Sequence, residues 1–232
     1  MIKLCKFNFV FIFLIIFIPN HLSAHTQHYN SLKNIEFDIF RNNKHIGKHV
    51  FYFNFKNETN ELIVKSKLNF KIKKLGIVLY RYSTEATEIY KDGNLIKFNS
   101  RTIQNDKNKY VNLTNNNNNE FTIDGSSYKG TAPLEYVIGT WWNHSIVKAD
   151  AQISAASGRI INQNVTFLGD EIITIGGKNY ETLHFNFSSN DNKLSKDKKL
   201  NTDVWYDKET LYWIKASFNK KGKWEYRLIS IK

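Results

Sequence analysis

Between Leu62 and Lys73 the chain sorts its side chains by parity. Val64, Leu68, Phe70 and Ile72 fall on one parity; Lys65, Lys67, Lys71 and Lys73 fall on the other. In a strand, successive side chains point to opposite faces, so the two sets separate completely. A helix would scatter both around its circumference. The segment therefore predicts a strand with one buried face and one basic, solvated face. The same reasoning extends to Phe51, Phe53 and Phe55, which alternate with Tyr52 and Asn54.

The rest of the chain reads in the same way. Expected strands run over Ile35–Phe40, His45–Phe55, Ile77–Lys91, Asn94–Gln104, Tyr110–Thr114 and Glu120–Ile123. They resume over Arg159–Leu168, Glu171–Ile175, Asn179–Phe187, Asp203–Asp207, Tyr212–Asn219 and Trp224–Ile231. Turn chemistry separates them, including Asp92-Gly93, Gly169-Asp170 and Gly176-Gly177. The stretch Ser188 to Asn201 is polar and lysine-rich and reads as an exposed loop. Many strands without long intervening helices predict an antiparallel sheet forming a barrel, half-barrel or sandwich. Thr131 to Ile146 breaks the alternation. Pro133 near its start fits a first helical turn, so one short helix is expected near residues 133–142.

The first residues are of another kind. Lys3 and Lys6 precede the apolar run Phe7 to Ile18, and Leu22-Ser23-Ala24 offers small residues after Pro19-Asn20. Twelve residues fit the apolar region of a signal peptide but are too short to span a bilayer core of ~30 Å. Residues 1–24 therefore read as a cleavable signal peptide, cut after Ala24, with no transmembrane span once it is removed. Residues 25–34 read as a flexible mature N-terminus, and residues 35–232 as a single β-rich domain. The expected location is the periplasm or the exterior. Cleavage removes the only cysteine, Cys5, and with it thiol chemistry, disulfides and cysteine lipidation. It also removes two lysines, lowering the formal net charge from +12 to +10. That surplus either solvates one face or attracts an anionic envelope component. Nucleic acid is a poor partner for an exported chain, and no feature of the sequence speaks to oligomeric state.

Several short motifs occur in order along the chain. They are Gly47-Lys48-His49, Tyr80-Arg81-Tyr82 leading to Glu85 and Glu88, and Trp142-Asn143. Ser157-Gly158-Arg159, Leu168-Gly169-Asp170-Glu171, Trp205-Tyr206-Asp207 and Tyr226-Arg227-Leu228 follow. In these the chain resembles an uncharacterised family of exported bacterial proteins, a domain of unknown function, from about Ile35 to the C-terminus. The resemblance implies a mostly β periplasmic protein and no known activity. Ser154-Ala155-Ala156 departs from the family, which carries more polar residues before the glycine.

Two clusters could carry chemistry. In the first, Tyr80, Tyr82 and Glu88 share one strand face with Thr84 and Ala86, while Arg81 and Glu85 share the other. Arg81 could clamp a carboxylate or phosphate, or pair across the sheet with a glutamate. In the second, Trp141, Trp142, Asn143 and His144 could line a ligand cavity or plug one end of a barrel. Arg159 joins them as a tentative ligand contact, and Lys65, Lys67, Lys71 and Lys73 form the basic face. His45 and His49 are four apart, but on a strand that is ~13 Å, too far to share a metal ion. No catalytic motif, metal motif or cofactor fingerprint is present. The expectation is a non-catalytic binding protein for a lipid, amphiphile or anionic envelope component. A hydrolase built on Arg81, Glu85, Glu88 and the Trp142 group is the alternative, with pairs among Glu85, Glu88, Asp203 and Asp207 as its candidate carboxylates. A structural partner in an envelope complex is the third reading.

Overall fold

The computed structural model describes residues 26–116, 119–189, 194 and 199–232, so the signal-peptide segment lies outside the described residues. Fifteen strands are described. They are β1 (Asn34–Arg41), β2 (Lys44–Lys56), β3 (Glu61–Lys74), β4 (Ile77–Lys91), β5 (Asn94–Gln104), β6 (Lys107–Asn116), β7 (Glu120–Gly125) and β8 (Lys129–Pro133). After them come β9 (Val137–Ile138), β10 (Ala151–Ile153), β11 (Ile160–Ile175), β12 (Lys178–Ser189), β13 (Asn201–Asp207), β14 (Trp213–Asn219) and β15 (Lys223–Ile231).

All fifteen belong to one sheet, ordered β8 back to β1, then β15 back to β9. The first and last strands pair in the middle of the sheet, from Ile35 opposite Ile231 to Arg41 opposite Trp224. The edge strands, β8 and β9, are neighbours in sequence yet form no ladder together. The sheet therefore curls around its core without closing, a half-barrel rather than a sandwich. All pairings are antiparallel except β9 with β10. Register shifts in β1, β3, β4, β11 and β13 supply the bends that a curled sheet needs.

Alternation sets the inner face. Ile35, Phe37 and Ile39 of β1, Phe51 and Phe53 of β2, and Leu62, Val64 and Phe70 of β3 are buried together with Trp213 and Ile214 of β14. A second cluster gathers Phe98, Val111, Leu113, Phe121 and Ile123 from β5 to β7. Lys65, Lys67, Lys71 and Lys73 all point outward and are exposed, as their parity requires.

Three expectations are corrected. No helix forms over 133–142. That stretch is the end of β8, the short β9 and an irregular passage, and a 3-10 turn follows at His144–Lys148, capped by Asn143. Trp141 explains the break, because its φ of 61° is left-handed and incompatible with a continuing helix. Gly169-Asp170 is not a turn: β11 runs through it with a register shift beside Gly169. The segment read as a flexible mature N-terminus is packed. Tyr29 is fully buried, faces Trp142 edge-on at 4.9 Å, and donates to the Leu211 carbonyl. A large ring that finds an aromatic pocket outweighs the entropy of an otherwise polar arm.

Gly47 marks the tightest approach of β2 to β3. A Cβ there would collide with the Asn69 carbonyl and come within 2.6 Å of the Phe70 Cα. Both obstacles include backbone, which cannot swing aside. Gly47→Ala is expected to cost about 1–3 kcal/mol, the range of overpacked sites, read as a lowered urea midpoint.

Candidate functional site

The inner face changes character across β3 to β5. Ser66, Ala86 and Ser100 stand side by side on these three strands, and Leu68, Thr84 and Thr102 form the next row. Small side chains at core-facing positions leave volume unfilled. The backbone of Ala155 closes over this band, accepting a hydrogen bond from Ser100 Oγ at 2.5 Å. Between them lies a cavity of about 210 Å³, walled by Ser66, Thr84, Ala86, Gln152, Ser154, Ala155 and Ala156, with His49, Tyr82, Trp141 and Tyr226 around it. Ser154-Ala155-Ala156, where the chain departs from the family pattern, is thus part of the wall.

His49 is a buried titratable group of this wall, beside Tyr226. Its Nδ1 has no hydrogen-bond partner among the described residues. Rings of Phe51, Trp213 and Tyr226 surround it, at centroid distances of 4.2, 6.3 and 6.1 Å. Burial holds the imidazole neutral, lowering its pKa to about 3. A buried donor or acceptor left unpaired is costly, so a group of this kind points to something that would satisfy it.

Glu88 lies deeper, 1% exposed, with no ion-pair partner among the described residues. Its Oε1 accepts from Trp142 Nε1 at 2.8 Å and from Thr140 Oγ1 at 3.3 Å, and its Oε2 from Tyr90 Oη at 2.6 Å. Burial pushes the carboxyl pKa up, and the three donors pull it partly back. Tyr90 is pushed well above its ordinary value by the same burial and by Glu88. Trp142 is fully buried, edge-on to Tyr29, Phe53 and Tyr90. Glu88 thus ties the passage after β9 to the wall of β4.

The left-handed turn at Trp141 sends the two tryptophans apart. While Trp142 reaches Glu88, Trp141 packs on Trp213, Tyr226 and Phe218, and its carbonyl accepts from Tyr206 Oη at 3.0 Å. Its own Nε1 is buried without a hydrogen-bond partner among the described residues. Backbone strain of this sort, of order 1–3 kcal/mol, persists where surrounding contacts impose it and clusters at functional sites. Trp141 and Ile161 also wall a larger cleft of about 740 Å³, whose rim carries Arg159, Lys199 and Lys220 and, among the described residues, no acidic one. They stand between the outer cleft and the inner cavity.

The residues singled out from sequence therefore divide. Tyr82, Glu88, Trp141 and Trp142 meet around the interior, and Arg159 stands at the rim of the cleft. Asn143 and His144 are buried but structural: Asn143 accepts from Ser145 N, and the His144 ring packs edge-on to Tyr206 at 4.7 Å. Tyr80 stacks on Phe70 at 5.9 Å. Arg81 is exposed, in register opposite Lys71, and forms no cross-strand pair with a glutamate among the described residues. Glu85 faces outward toward Lys67 at 3.5 Å. Asp203 accepts from Asn186, and Asp207 caps its own turn through Thr210. The carboxylates weighed for glycoside hydrolysis thus serve separate local contacts, and Arg81 and Glu85 are on the face opposite Glu88. Sequence reading missed His49, Ser66, Thr84 and Gln152 as cavity residues. The available signal was small or polar residues at inward parity on long strands. Among the described residues no three His, Cys, Asp or Glu side chains gather as a metal ligand set, and no helix is long and apolar enough to cross a membrane.

Fold and site together define a β-barrel-like protein with an open seam and a partly polar interior cavity. Residues 37–229 match the family model described as domain of unknown function (DUF6134), and the chain belongs to that family. Among solved structures it is similar to a β-barrel-like protein of domain of unknown function DUF1849 from Brucella abortus. That likeness has a TM-score of 0.61 and 8% identity, over 87% of this chain and 97% of that one. At this identity the likeness concerns the fold alone. No curated protein matches the chain.

Proposed function

We propose that this is an exported, non-catalytic binding protein that holds a small amphiphile from the cell envelope. The observation that carries the reading is the hollowed inner face, with the unpartnered His49 beside the Ser66–Ala86–Ser100 row. A cavity of about 210 Å³ is smaller than a site for a whole drug-sized ligand, which runs roughly 300–1,000 Å³. It suits part of a molecule. The adjoining cleft suits the remainder: Phe218 and Leu200 offer apolar contact, and Arg159, Lys199 and Lys220 attract an anionic group. The less polar body would pass Trp141 and Ile161 and meet the hydroxyls of Ser66 and Thr84. Export rests on the signal-peptide reading of residues 1–24, and N-terminal sequencing of the exported protein should begin at His25. The hydrolase reading has less support, because its residues serve separate contacts.

Native mass spectrometry of protein purified from its own cells is expected to show an added mass that organic extraction removes. Ser66→Leu, which fills the cavity, is expected to lower occupancy by about tenfold or more while the β-sheet circular dichroism is kept. A clean apo mass for the parent protein would overturn the proposal.

A further inference from the structure

The hairpin joining β3 to β4 presents apolar side chains where a water-facing turn has no use for them. Leu75 is 93% exposed, Ile77 67% and Leu79 57%. The tip is turned by Leu75 at φ 50° and Gly76 at φ 80°, which projects Leu75 outward. Cations flank these residues on both strands: Lys71, Lys73 and Lys74 on β3 and Arg81 on β4. None of the four makes an ion pair among the described residues.

Described residues beside this tip carry the same charge. A groove of about 650 Å³ beside the tip is walled by Lys44, Lys71, Lys73 and Arg81 and, among the described residues, by no acidic one. The β14–β15 turn contributes Lys220 and Lys221, and it is tied to the β1–β2 turn through Asn42 N bonded to the Lys223 carbonyl. On the β5–β6 side, Asn105 bonds Arg81 through both its backbone N–H and its side chain, and the acid there, Asp106, is followed by Lys107. Asp38 is engaged by the groove residue His45 at 3.0 Å.

From this arrangement we infer that this end docks on an anionic lipid bilayer, with the Leu75–Leu79 tip inserted among the headgroups. A projecting apolar point within a field of unpaired cations complements a negatively charged, deformable apolar surface, and both contributions are needed for stable attachment. A rigid protein partner would need a matching pocket and acidic groups; a bilayer provides both chemistries without a preformed shape. Lys220 also stands on the rim of the cleft leading to the inner cavity, so docking here would turn that cleft toward the lipid. The docking stands independently of what the cavity holds.

The test is flotation of the chain from His25 onward with phosphatidylcholine vesicles, with and without phosphatidylglycerol. Residues 1–24 are left out because their apolar run would insert by itself. Binding is expected only with phosphatidylglycerol and is expected to weaken as salt is raised. Lys73→Gln with Lys74→Gln should lower the partition coefficient about thirtyfold, since each cation near such a surface contributes roughly fivefold. Leu75→Ser with Ile77→Ser should lower it by about tenfold or more with the thermal midpoint unchanged, because both side chains are already in water. No association with anionic vesicles would overturn the inference. So would full binding by the double-serine variant, or retention on a soluble acidic polysaccharide with none on vesicles.

Discussion

Replacing Glu88 with alanine is expected to destabilise the protein by about 3–5 kcal/mol, the combined effect of unpairing buried donors and opening a core cavity. The loss has two sources. Trp142 Nε1, Thr140 Oγ1 and Tyr90 Oη lose their common acceptor, and an unpaired buried donor costs about 1–3 kcal/mol. A void also opens under Trp142, which nothing nearby can refill. Glu88→Gln separates charge from shape. Indole nitrogen only donates, so Oε1 must accept, and any proton on the carboxyl sits on Oε2 facing Tyr90. The glutamine amide reproduces that protonated form, its oxygen toward Trp142 and its nitrogen toward Tyr90.

Glu88→Gln also differs from the parent in pH dependence. Burial raises the Glu88 pKa above its ordinary 4.5, so the folded state keeps a proton that the unfolded chain has released. Its stabilisation is complete below about 4.5 and is lost as pH rises through the folded-state value. Glu88→Gln lacks this decline and should match or exceed the parent protein at alkaline pH. Urea unfolding at mildly acidic and mildly alkaline pH measures both effects. An alanine variant as stable as the parent would show that the network has no net worth.

What sequence could and could not reveal follows from which interactions are local. The faces of β3 and β4 were legible because alternation is a property of a single strand. The pairing of Lys65, Lys67, Lys71 and Lys73 with solvent, and the grouping of Thr84, Ala86 and Glu88 on one face, came directly from parity. The cavity was not legible, since it depends on register. Ser66 hollows the wall only because Ala86 and Ser100 stand beside it, and nothing in β3 alone determines that. The Glu88–Trp142 bond spans 54 residues of chain and was equally hidden, although both ends had been singled out. The helix expected near 133–142 failed for a related reason. Proline and apolar spacing fit a first turn, but tertiary contacts hold Trp141 in a left-handed conformation. Tyr29 shows the same override at the N-terminus, where a polar-looking arm is fastened by one ring.

His49 is expected to dominate the acid sensitivity of the fold. The unfolded chain takes up a proton near the ordinary histidine value of 6.5, while the buried ring resists until about 3. Between those limits the unfolded state binds more protons, so stability falls as pH falls. A gap of about 3.5, at roughly 1.4 kcal/mol for each, allows up to about 5 kcal/mol over the full window. Leucine at this position does not titrate and fits the setting of Phe51, Trp213 and Tyr226. His49→Leu should therefore unfold with a visibly shallower dependence on pH below 6.5, even though carboxylates contribute equally to acid unfolding in both proteins. A set of urea titrations from neutral to acid pH, comparing the two slopes, decides the matter. Parallel slopes would mean that the folded protein admits a proton to this ring at little cost. Occupancy should then shift the parent alone: a polar ligand group accepting from Nδ1–H would favour the protonated ring, raise its pKa and flatten the acid limb. His49→Leu has no such response to lose.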